Sequence, residues 1–254
     1  MRAKGLQVEV GLLNDQVERD LAGFLFRMRR GWGRITIKLA ASLDGRTAMA
    51  SGESKWITSD SSRRDVQVLR AQSDLIVTGI GAVLADDCRL TIRAEDLPLD
   101  EEERARALSK PPHRMVLDSR GRTPPNALIL SNGSTTVVTT MPASLPPAAH
   151  VVQLGANFEG RVDLTAWARY LGEQEYNEIL IEAGPILTGA LIRGGWADRL
   201  ILYQAPSFLG HSAKPMAGFE IETLSEAPDF HIEDVTRIEK DVRIIAIRKT
   251  DGKG

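Results

Sequence analysis

A single carboxylate follows a short apolar run in the last third of the chain. Residues 179–181 are all apolar, Glu182 comes next, and Gly184 and Pro185 follow it. In open α/β sheets ligands bind at the carboxyl ends of strands, and Glu182 is predicted to lie at such an end. Gly184 lets a ligand approach the backbone closely, and Pro185 suits the first turn of a helix. Because helix N-termini attract anions, this segment predicts a ligand-binding carboxylate beside a site for a cofactor phosphate.

A lysine lies in another apolar segment, which ends in an Asp-Gly turn. Ile37 and Leu39 would share one face of a strand, and Lys38 would point to the other face. In one interpretation Lys38 is an edge lysine before an ordinary turn at residues 44–45. In the other it lies inside a cleft, where a cation binds a substrate oxygen or a phosphate. These residues alone leave both interpretations open.

A hydroxyl, a cation and a large aromatic side chain occur together at Ser54, Lys55 and Trp56. Trp56 either covers a ligand ring or packs this loop against the core. The basic helix that follows carries Arg63 and Arg70, which are seven residues apart and therefore on nearly the same helical face. Such a face suits a phosphate, although a solvated face is the more common outcome.

Two further segments give weaker signals. Residues 78–84 predict a strand, a glycine turn and a helix that could present N–H groups to a diphosphate. Leu84 stands where the dinucleotide-binding fingerprint requires its third glycine, so the segment does not match that fingerprint. Asp86 and Asp87 follow, and adjacent side chains point in different directions and seldom act as a pair of acids. One of them could bind a ribose hydroxyl, or both could belong to a turn that ends the helix.

These residues need a scaffold that brings the ends of several strands together. Apolar periodicity predicts strands at 34–41, 75–78, 115–117, 135–138, 151–154, 178–182, 200–203, 230–235 and 242–247, and helices at 15–28, 58–72, 79–85, 164–171 and 186–192. Val8 and Val10 predict one more short strand, and the charged residues 95–110 predict a solvated surface excursion. Strands that alternate with helices indicate an α/β fold with a mostly parallel central sheet flanked by helices and antiparallel C-terminal strands. We expect one domain at 34–254 and an N-terminal extension at 1–33.

Composition argues against several classes of protein. The chain has 254 residues and a formal net charge of -2, which gives no general attraction to nucleic acid or to an anionic membrane. No apolar run is long enough to cross a membrane, and residues 1–11 do not resemble a signal peptide. The single cysteine, Cys88, cannot form an internal disulfide, which fits a reducing cytoplasm. His231 and Glu233 have the spacing of part of a zinc-deaminase motif, but its two downstream cysteines are missing, so no metal site is predicted.

Four ordered segments together resemble one family. They are residues 35–74, which begin ITIKLAASLDGRTAMASGESKWITS, then ADDCRLTIR at 85–93, MVLDSRGR at 115–122 and LIEAGPILTGALI at 180–192. From about residue 5 to residue 248 the chain resembles the C-terminal reductase domain of bacterial RibD, the bifunctional deaminase–reductase of riboflavin biosynthesis. Each segment alone is unspecific, but their combination in this order is highly specific.

The resemblance implies a dihydrofolate-reductase-like α/β fold, a homodimer, the cofactor NADPH and the substrate 5-amino-6-(5-phosphoribosylamino)uracil. Carried over by position, the residues that resemble NADPH contacts are Ala40, Trp56, Ala82, Asp86, Ser119, Gly184, Pro185, Ile186, Leu187, Thr188, Gly189 and Ala190. Those that resemble substrate contacts are Ser54, Arg70, Leu90, Arg93 and Glu182. By the same resemblance Arg70 and Arg93 hold the ribose phosphate, and Lys38 and Glu182 are the catalytic residues near the reacting sugar. Ser119 and Arg120 are candidates for contacts with the 2′-phosphate of the cofactor.

The reaction implied by the resemblance is hydride transfer from NADPH to C1 of the ribosylamine, after that group opens to an imine. Lys38 would assist ring opening or stabilise charge on the sugar oxygens, and Glu182 would bind the ribose hydroxyls. Two other functions stay open: a related pyrimidine or pterin reductase that acts before deamination, and a non-catalytic module that binds NADPH. The presence of Lys38, Glu182, Arg70 and Arg93 argues against the second.

The sequence departs from the resembled family in two places. The zinc deaminase domain that precedes the reductase in the complete bacterial protein is missing, and residues 1–33 are expected to be a remnant of the junction. The chain is then either a cut fragment or a naturally separate reductase, with the deaminase on another domain or protein. Cys88 stands where the family commonly has proline, which loosens that loop and removes none of the expected contacts.

Overall fold

A nine-stranded sheet forms the centre of the computed structural model, which describes residues 2–131, 133–147 and 149–249. The strands are β1 (Arg34–Ser42), β2 (Arg46–Ala48), β3 (Leu75–Gly79), β4 (His113–Leu117), β5 (Thr135–Thr139), β6 (Ala149–Gln153), β7 (Glu178–Ile181), β8 (Arg199–Ala205), β9 (Lys214–Pro215), β10 (Phe230–Ile238) and β11 (Asp241–Arg248). Their order in the large sheet is β10-β11-β8-β1-β7-β3-β4-β5-β6, and β2 pairs with β9 in a separate two-stranded sheet. The strands from β8 to β6 in this order are parallel, whereas β10 and β11 are antiparallel. The predicted mostly parallel sheet with antiparallel C-terminal strands is therefore confirmed.

Helices cover both faces of the large sheet. They are α1 (Asn14–Asp20), α2 (Ala22–Arg30), α3 (Asp60–Ala71), α4 (Ile80–Asp86), α5 (Glu101–Ser109), α6 (Leu164–Glu173) and α7 (Pro185–Arg193), with 3-10 turns at Arg2–Lys4, Ala94–Asp96, Leu128–Leu130 and Leu224–Glu226. Apolar residues of α6 and α7 belong to the core on one face, and those of α3 and α4 belong to two smaller clusters on the other. The result is the three-layer arrangement expected when strands alternate with helices.

Local signals in the sequence determine where the main helices begin. Ser59 accepts a hydrogen bond from the Ser62 N–H and caps α3. Asp163 caps α6 in the same way through the N–H groups of its first turn. Pro185 opens α7 directly after Gly184, which has an extended backbone. These caps fix the helix starts at the carboxyl edge of the parallel strands.

The two faces of β1 differ in character, and this difference places the polar residues. Ile35 and Ile37 are fully buried in the largest apolar core. Lys38 alternates with them and lies on the opposite face. There α3 packs over the sheet, with Val66 in contact with the cluster around Ile201 of β8. A polar side chain on β1 is therefore enclosed between the sheet and α3.

The alternation of apolar and polar residues does not predict very short strands correctly. The strand predicted around Val8 and Val10 is wrong, because residues 6–11 form no regular structure and Val10 is 83% exposed. Alternation along a segment cannot supply the neighbouring strand that its N–H and C=O groups need. Conversely β2 and β9 were not predicted, since two or three residues are too few to display a period.

The single helix predicted at 15–28 is also wrong, because the structure has two helices that meet at Leu21. The break lets the Gly23 N–H donate to Glu178 Oε1 at 3.1 Å. A Cβ on Gly23 would lie 2.5 Å from the Asn177 carbonyl oxygen, so the close approach requires glycine. This contact with a distant strand is invisible to local periodicity.

The charged residues 95–110 form a surface excursion that contains a regular helix. Asp100 caps α5 by accepting the Glu103 N–H at 2.8 Å, and α5 has no buried residue. Leu97, just before it, is buried and anchors the excursion.

No described helix has the length and apolar character needed to span a membrane. Residue 1 of the predicted extension and residues 250–254 of the predicted domain lie outside the described residues. The predicted boundary between residues 33 and 34 stays a prediction.

Candidate active site

Lys38 and Glu182 meet where β1 and β7 stop pairing. Ile37 and Ile181 are the last partners in the register of these parallel strands, so Lys38 and Glu182 follow side by side at the carboxyl edge. Lys38 Nζ lies 3.1 Å from Glu182 Oε2, and the two side chains are only 18% and 8% exposed. A buried ion pair therefore occupies the strand end at which a ligand-binding carboxylate was predicted.

A third charged residue reaches this strand end from α3. The helix begins at the carboxyl edge, where the Ser59 N–H contacts Asp241 beside the end of β8, and it runs back across the sheet. Helical side chains point toward the N-terminus, so Arg70 in the last turn reaches back to Glu182. Its Nε donates to Glu182 Oε1 at 2.6 Å and its Nη2 to Oε2 at 3.1 Å. Lys38, Arg70 and Glu182 are hereafter the Glu182 cluster.

The ion pair with Glu182 does not use all the N–H donors of Arg70. Its Nη1 donates to the Thr91 carbonyl at 2.8 Å, which fixes the loop after α4. An arginine has five N–H donors, of which contacts with described residues use three, so two remain for a ligand. The predicted phosphate contact and the observed contact with Glu182 are therefore compatible.

The Glu182 cluster keeps its carboxylate ionised. Burial alone would raise the pKa of Glu182, but the charges of Arg70 and Lys38 lower that pKa to about 2. Burial acts to lower the pKa of Arg70, and the opposing charge of Glu182 raises that pKa above its ordinary value. At neutral pH the carboxylate of Glu182 can accept hydrogen bonds but has no proton to donate.

Buried polar contacts hold α3 over the cluster. Asp241 Oδ2 accepts hydrogen bonds from the Ser59 N–H at 2.7 Å, the Ser59 hydroxyl at 2.8 Å and the Ser62 hydroxyl at 2.6 Å. Farther along the helix the Tyr203 hydroxyl donates to Asp65 Oδ2 at 2.6 Å. These anchors were not predicted, because Asp241 is distant from α3 in sequence and carries no local signal. They determine where Arg70 lies relative to Glu182.

The loop after β2 and the end of α4 form a second wall. The Ser54 hydroxyl donates to Asp86 Oδ1 at 3.4 Å, which joins a predicted substrate contact to a predicted cofactor contact. The negative charges of Glu182 and Asp86 both act electrostatically on the Cys88 thiol. Burial, reinforced by these charges, raises the pKa of the Cys88 thiol to about 11. The thiol is therefore protonated and unreactive at neutral pH.

The first turn of α7 offers an open backbone beside the Glu182 cluster. This helix starts directly after β7, and a Cβ added to Gly79, where β3 ends and α4 begins, would lie 3.6 Å from Leu187 Cδ2. A Cβ on Gly184 would meet no atom within 4 Å, so the space in front of the helix is free. The N–H groups of the first turn have no acceptor within the helix. This arrangement fits a phosphate group of a cofactor.

Thr78 adds a hydroxyl that was not assigned from the sequence. In the register of β3 and β7, Val77 pairs with Ile181, so Thr78 lies beside Glu182 on the same face. Its Oγ1 is buried and has no hydrogen-bond partner among the residues that the structure describes. Buried hydroxyls almost always have a partner, which points to a ligand or a water here. Thr78 is the polar residue at the end of the otherwise apolar segment 75–78. This contrast is the sequence signal that could have identified it.

Trp56 lies on the surface rather than in the core. Its side chain is 63% exposed, and its ring centroid lies 4.2 Å from the Arg63 guanidinium carbon. Packing of the loop against the core through Trp56 is thus not observed. The outer surface of the ring remains available to stack on a ligand.

Ser119 is the predicted residue that lies farthest along the sheet from the cluster. It follows β4, and β3 separates β4 from β7 in the sheet order. Its hydroxyl accepts the Val162 N–H at 3.0 Å, so this side chain has a structural contact. Arg120, the next residue, is exposed at the same edge.

The other predicted residues differ in accessibility. Ala40 and Ala82 are half-buried, Leu90 is buried, and Arg93 is 41% exposed with its Nε 2.6 Å from Asp96 Oδ2. In α7, Ile186 and Ala190 are exposed, Pro185 and Leu187 are half-buried, and Thr188 and Gly189 are buried. Contacts of Thr188 and Gly189 with a cofactor stay a prediction. Within the described ranges, no group of three or more His, Cys, Asp or Glu side chains could hold a metal ion.

Comparisons with known proteins agree with the geometry. The family model of the RibD C-terminal domain matches residues 34–244. RibD of Escherichia coli (strain K12) is 42% identical over 248 residues, which are 95% of this chain and 67% of the relative. RibD of Haemophilus influenzae is 37% identical over 243 residues, which are 94% of this chain and 65% of the relative.

A solved structure gives the same result. Acinetobacter baumannii RibD, form 1, superposes with a TM-score of 0.84 at 35% identity and covers 98% of this chain and 67% of that chain. The chain thus spans about two thirds of the length of these relatives. On the family match and on these identities, the chain belongs to the RibD C-terminal domain family.

Proposed function

We propose that the chain is an NADPH-dependent reductase of riboflavin biosynthesis, which converts 5-amino-6-(5-phosphoribosylamino)uracil to 5-amino-6-(5-phosphoribitylamino)uracil. The observation that carries the proposal is the Glu182 cluster at the end of β7, directly before the N-terminus of α7. This arrangement places fixed charges beside an open space of the kind that binds phosphate. The relatives support the pathway, since they are named riboflavin biosynthesis proteins.

The cofactor site is built around α7. We assign the phosphates of NADPH to the segment that begins at Gly184, because the backbone is open there. The rest of the cofactor is assigned to the residues on the walls of the same edge, Ala40, Trp56, Ala82, Asp86 and Ser119. When bound, NADPH supplies the hydride. The protein contributes position and electrostatics.

Glu182 positions the sugar. An ionised carboxylate has about four acceptor positions, and Lys38 and Arg70 occupy three of them. The remaining position accepts a hydrogen bond from a ribose hydroxyl. Because Arg70 holds both oxygens, the carboxylate cannot rotate, and the orientation of the open sugar chain is fixed before the reaction.

Lys38 supplies the proton in this cluster. Glu182 is ionised, and an arginine does not lose its proton in proteins, so Lys38 is the member able to donate one. One of its three N–H groups faces Glu182, and the other two have no partner among the described residues and can approach the ring oxygen of the sugar. Donation to that oxygen assists ring opening. Arg93 and the two remaining donors of Arg70 bind the ribose phosphate.

The decisive experiment is the loss of NADPH absorbance with the deaminated substrate, compared with the amino form that precedes deamination. Oxidation with the deaminated form supports the proposal. Oxidation with the amino form alone favours the reductase that acts before deamination. Binding of NADPH without oxidation by either compound favours a non-catalytic module.

We further propose a homodimer that works in the cytoplasm, with the deaminase supplied by another domain or protein. The edge strand β10 supports the dimer, because Ile232 and Val235 are 63% and 59% exposed along it. A long edge strand with exposed apolar residues is a template for pairing unless another chain covers it. The single cysteine is compatible with a reducing compartment.

A further inference from the structure

A polar cavity lies near the opposite end of the sheet face that carries the Glu182 cluster. Its volume is about 360 Å³, and α1, the last turn of α3 and the amino-terminal parts of β1, β7 and β8 surround it. Three arginines line it, Arg19, Arg34 and Arg199, together with two acids, Asp20 and Glu178. The lining therefore carries an excess of positive charge.

Arg199 is a cation in this cavity without a carboxylate partner. Its Nε donates to Thr36 Oγ1 at 3.1 Å, and its two terminal nitrogens contact no hydrogen-bond or ion-pair partner within the described part of the chain. Burial and the charge of Arg34 lower the pKa of Arg199 to about 10, and Glu178 and Glu233 do not offset this. A desolvated cation in this state is stabilised by an anion.

The acids of the cavity do not supply that anion. Both oxygens of Glu178 are engaged by Arg34, at 3.1 Å from Nε and 2.9 Å from Nη2, and one also accepts the Gly23 N–H. Asp20 is exposed at the rim, next to Arg19, which is also exposed. Across the described ranges, Arg34 Nη1 and the side-chain amide of Gln72 have no partner, which adds two donor groups, each with two N–H bonds, to those of Arg199.

We propose that this cavity binds a phosphate group, free or on a small metabolite, held by Arg199 with Arg34 and Arg19. The guanidinium group matches phosphate oxygens in a two-bond geometry, and the excess charge of the lining favours an anion. The site is separate from the Glu182 cluster. Thr36 and Leu180 line the cavity. Thr36 lies two residues before Lys38, and Leu180 lies two residues before Glu182, a distance of about 7 Å in each case.

Binding of inorganic phosphate and of ribose 5-phosphate tests the proposal, measured by calorimetry and by the rise in Tm. Arg199→Gln is expected to weaken phosphate binding at this cavity by about tenfold or more, because hydrogen bonds to a charged group are lost. Arg169→Gln is the matched control, since Arg169 is exposed on α6 across the sheet. It removes the same charge and should leave phosphate binding unchanged. Because the reaction site is itself proposed to bind a ribose phosphate, the two ligands are compared in Arg93→Gln. Tighter binding of ribose 5-phosphate than of inorganic phosphate in that variant would identify a metabolite as the occupant of the cavity.

Two results would overturn the proposal: equal phosphate binding by wild type and Arg199→Gln, or loss of all binding in Arg93→Gln. The second would place the phosphate at the reaction site. If Arg199→Gln does not fold, Arg19→Gln at the exposed rim should weaken binding by about threefold. Bound phosphate should also slow amide exchange at residues 69–73, and unchanged exchange there counts against the site. These measurements need no turnover, so their failure is distinct from a failure of the proposed reductase activity.

Discussion

Arg70 and Glu182 form a two-bond ion pair that joins the last turn of α3 to the end of β7, with Nε–Oε1 and Nη2–Oε2 distances of 2.6 and 3.1 Å. The pair is 112 residues apart in sequence and nearly buried, with exposed fractions of 14% and 8%. It turns a carboxylate at a strand end into a fixed, ionised acceptor. Arg70 therefore positions Glu182 in addition to its proposed contact with phosphate.

Loss of this pair should be costly to the fold. Arg70→Met leaves the carboxylate of Glu182 with Lys38 as its remaining cationic partner in the cluster. Removal of one partner of a buried ion pair costs about 3–5 kcal/mol, and we expect the lower end because Lys38 stays. Denaturant unfolding measures the change. Arg64→Met on the exposed side of α3 should cost less than about 0.5 kcal/mol, and equal losses in the two variants would contradict the assignment.

Glu182→Gln should separate chemistry from cofactor binding. Glutamine has the same shape and keeps an acceptor for Arg70, but it lacks the charge that Lys38 and the sugar require. We expect turnover to fall by about 10²-fold, as for loss of one preorganised electrostatic group, while NADPH still binds. Steady-state oxidation and equilibrium binding of NADPH measure the two effects. Glu173→Gln, an exposed change on α6, is the control, and normal turnover in Glu182→Gln would remove Glu182 from the mechanism.

The ionisation of Glu182 predicts how stability depends on pH. Its pKa in the folded protein, about 2, is below the ordinary value of 4.5, so ionisation favours the folded state. The stabilisation is present above about pH 4.5 and is lost as the pH falls toward about 2; it amounts to about 3 kcal/mol. Unfolding of wild type and Glu182→Gln across this window measures it. The difference between the two proteins should shrink as the pH falls, and a constant difference would argue against an ionised, paired Glu182.

Local sequence patterns predicted the elements that are long and periodic. The apolar run at 179–181 is typical of a buried strand or of part of a buried helix. Gly184 and Pro185 after it favour a strand followed by a helix. That placement put Glu182 at the carboxyl edge, where the structure has it. The start of α3 at Ser59 was predictable for a similar reason, because the cap is encoded beside the helix it begins.

Contacts between distant segments were not predictable. Nothing near Arg70 indicates that it would turn toward Glu182, since this depends on the register of β7 and on the anchoring of α3 by Asp241. The unpartnered hydroxyl of Thr78 becomes visible only when β3 is placed beside β7. The break between α1 and α2 at Leu21 has the same cause, a tertiary contact that no local period encodes.

Two glycines of the same segment allow a sharp test of the cofactor site. Gly184 is the N-cap of α7 with φ of -75°, and a side chain there would point into open space. Aspartate is a favourable N-cap and its charge suits a helix N-terminus, so Gly184→Asp should keep or raise the Tm. The same carboxylate would repel a phosphate at this helix start. We therefore expect NADPH binding to weaken by about tenfold or more in a protein that is fully folded.

Gly189 and Gly155 are the controls for this variant. A Cβ on Gly189 would lie 2.3 Å from the Gly218 carbonyl oxygen, so Gly189→Ala should lower the Tm through a clash in the core side of α7. Gly155→Asp adds the same charge at an exposed position with no atom within 4 Å of its Cβ, and it should change neither the Tm nor NADPH binding. Calorimetry for NADPH and thermal unfolding measure all three variants. Normal NADPH affinity in Gly184→Asp would show that the cofactor phosphate lies elsewhere, because no fixed phosphate at that helix start could tolerate a carboxylate in its place.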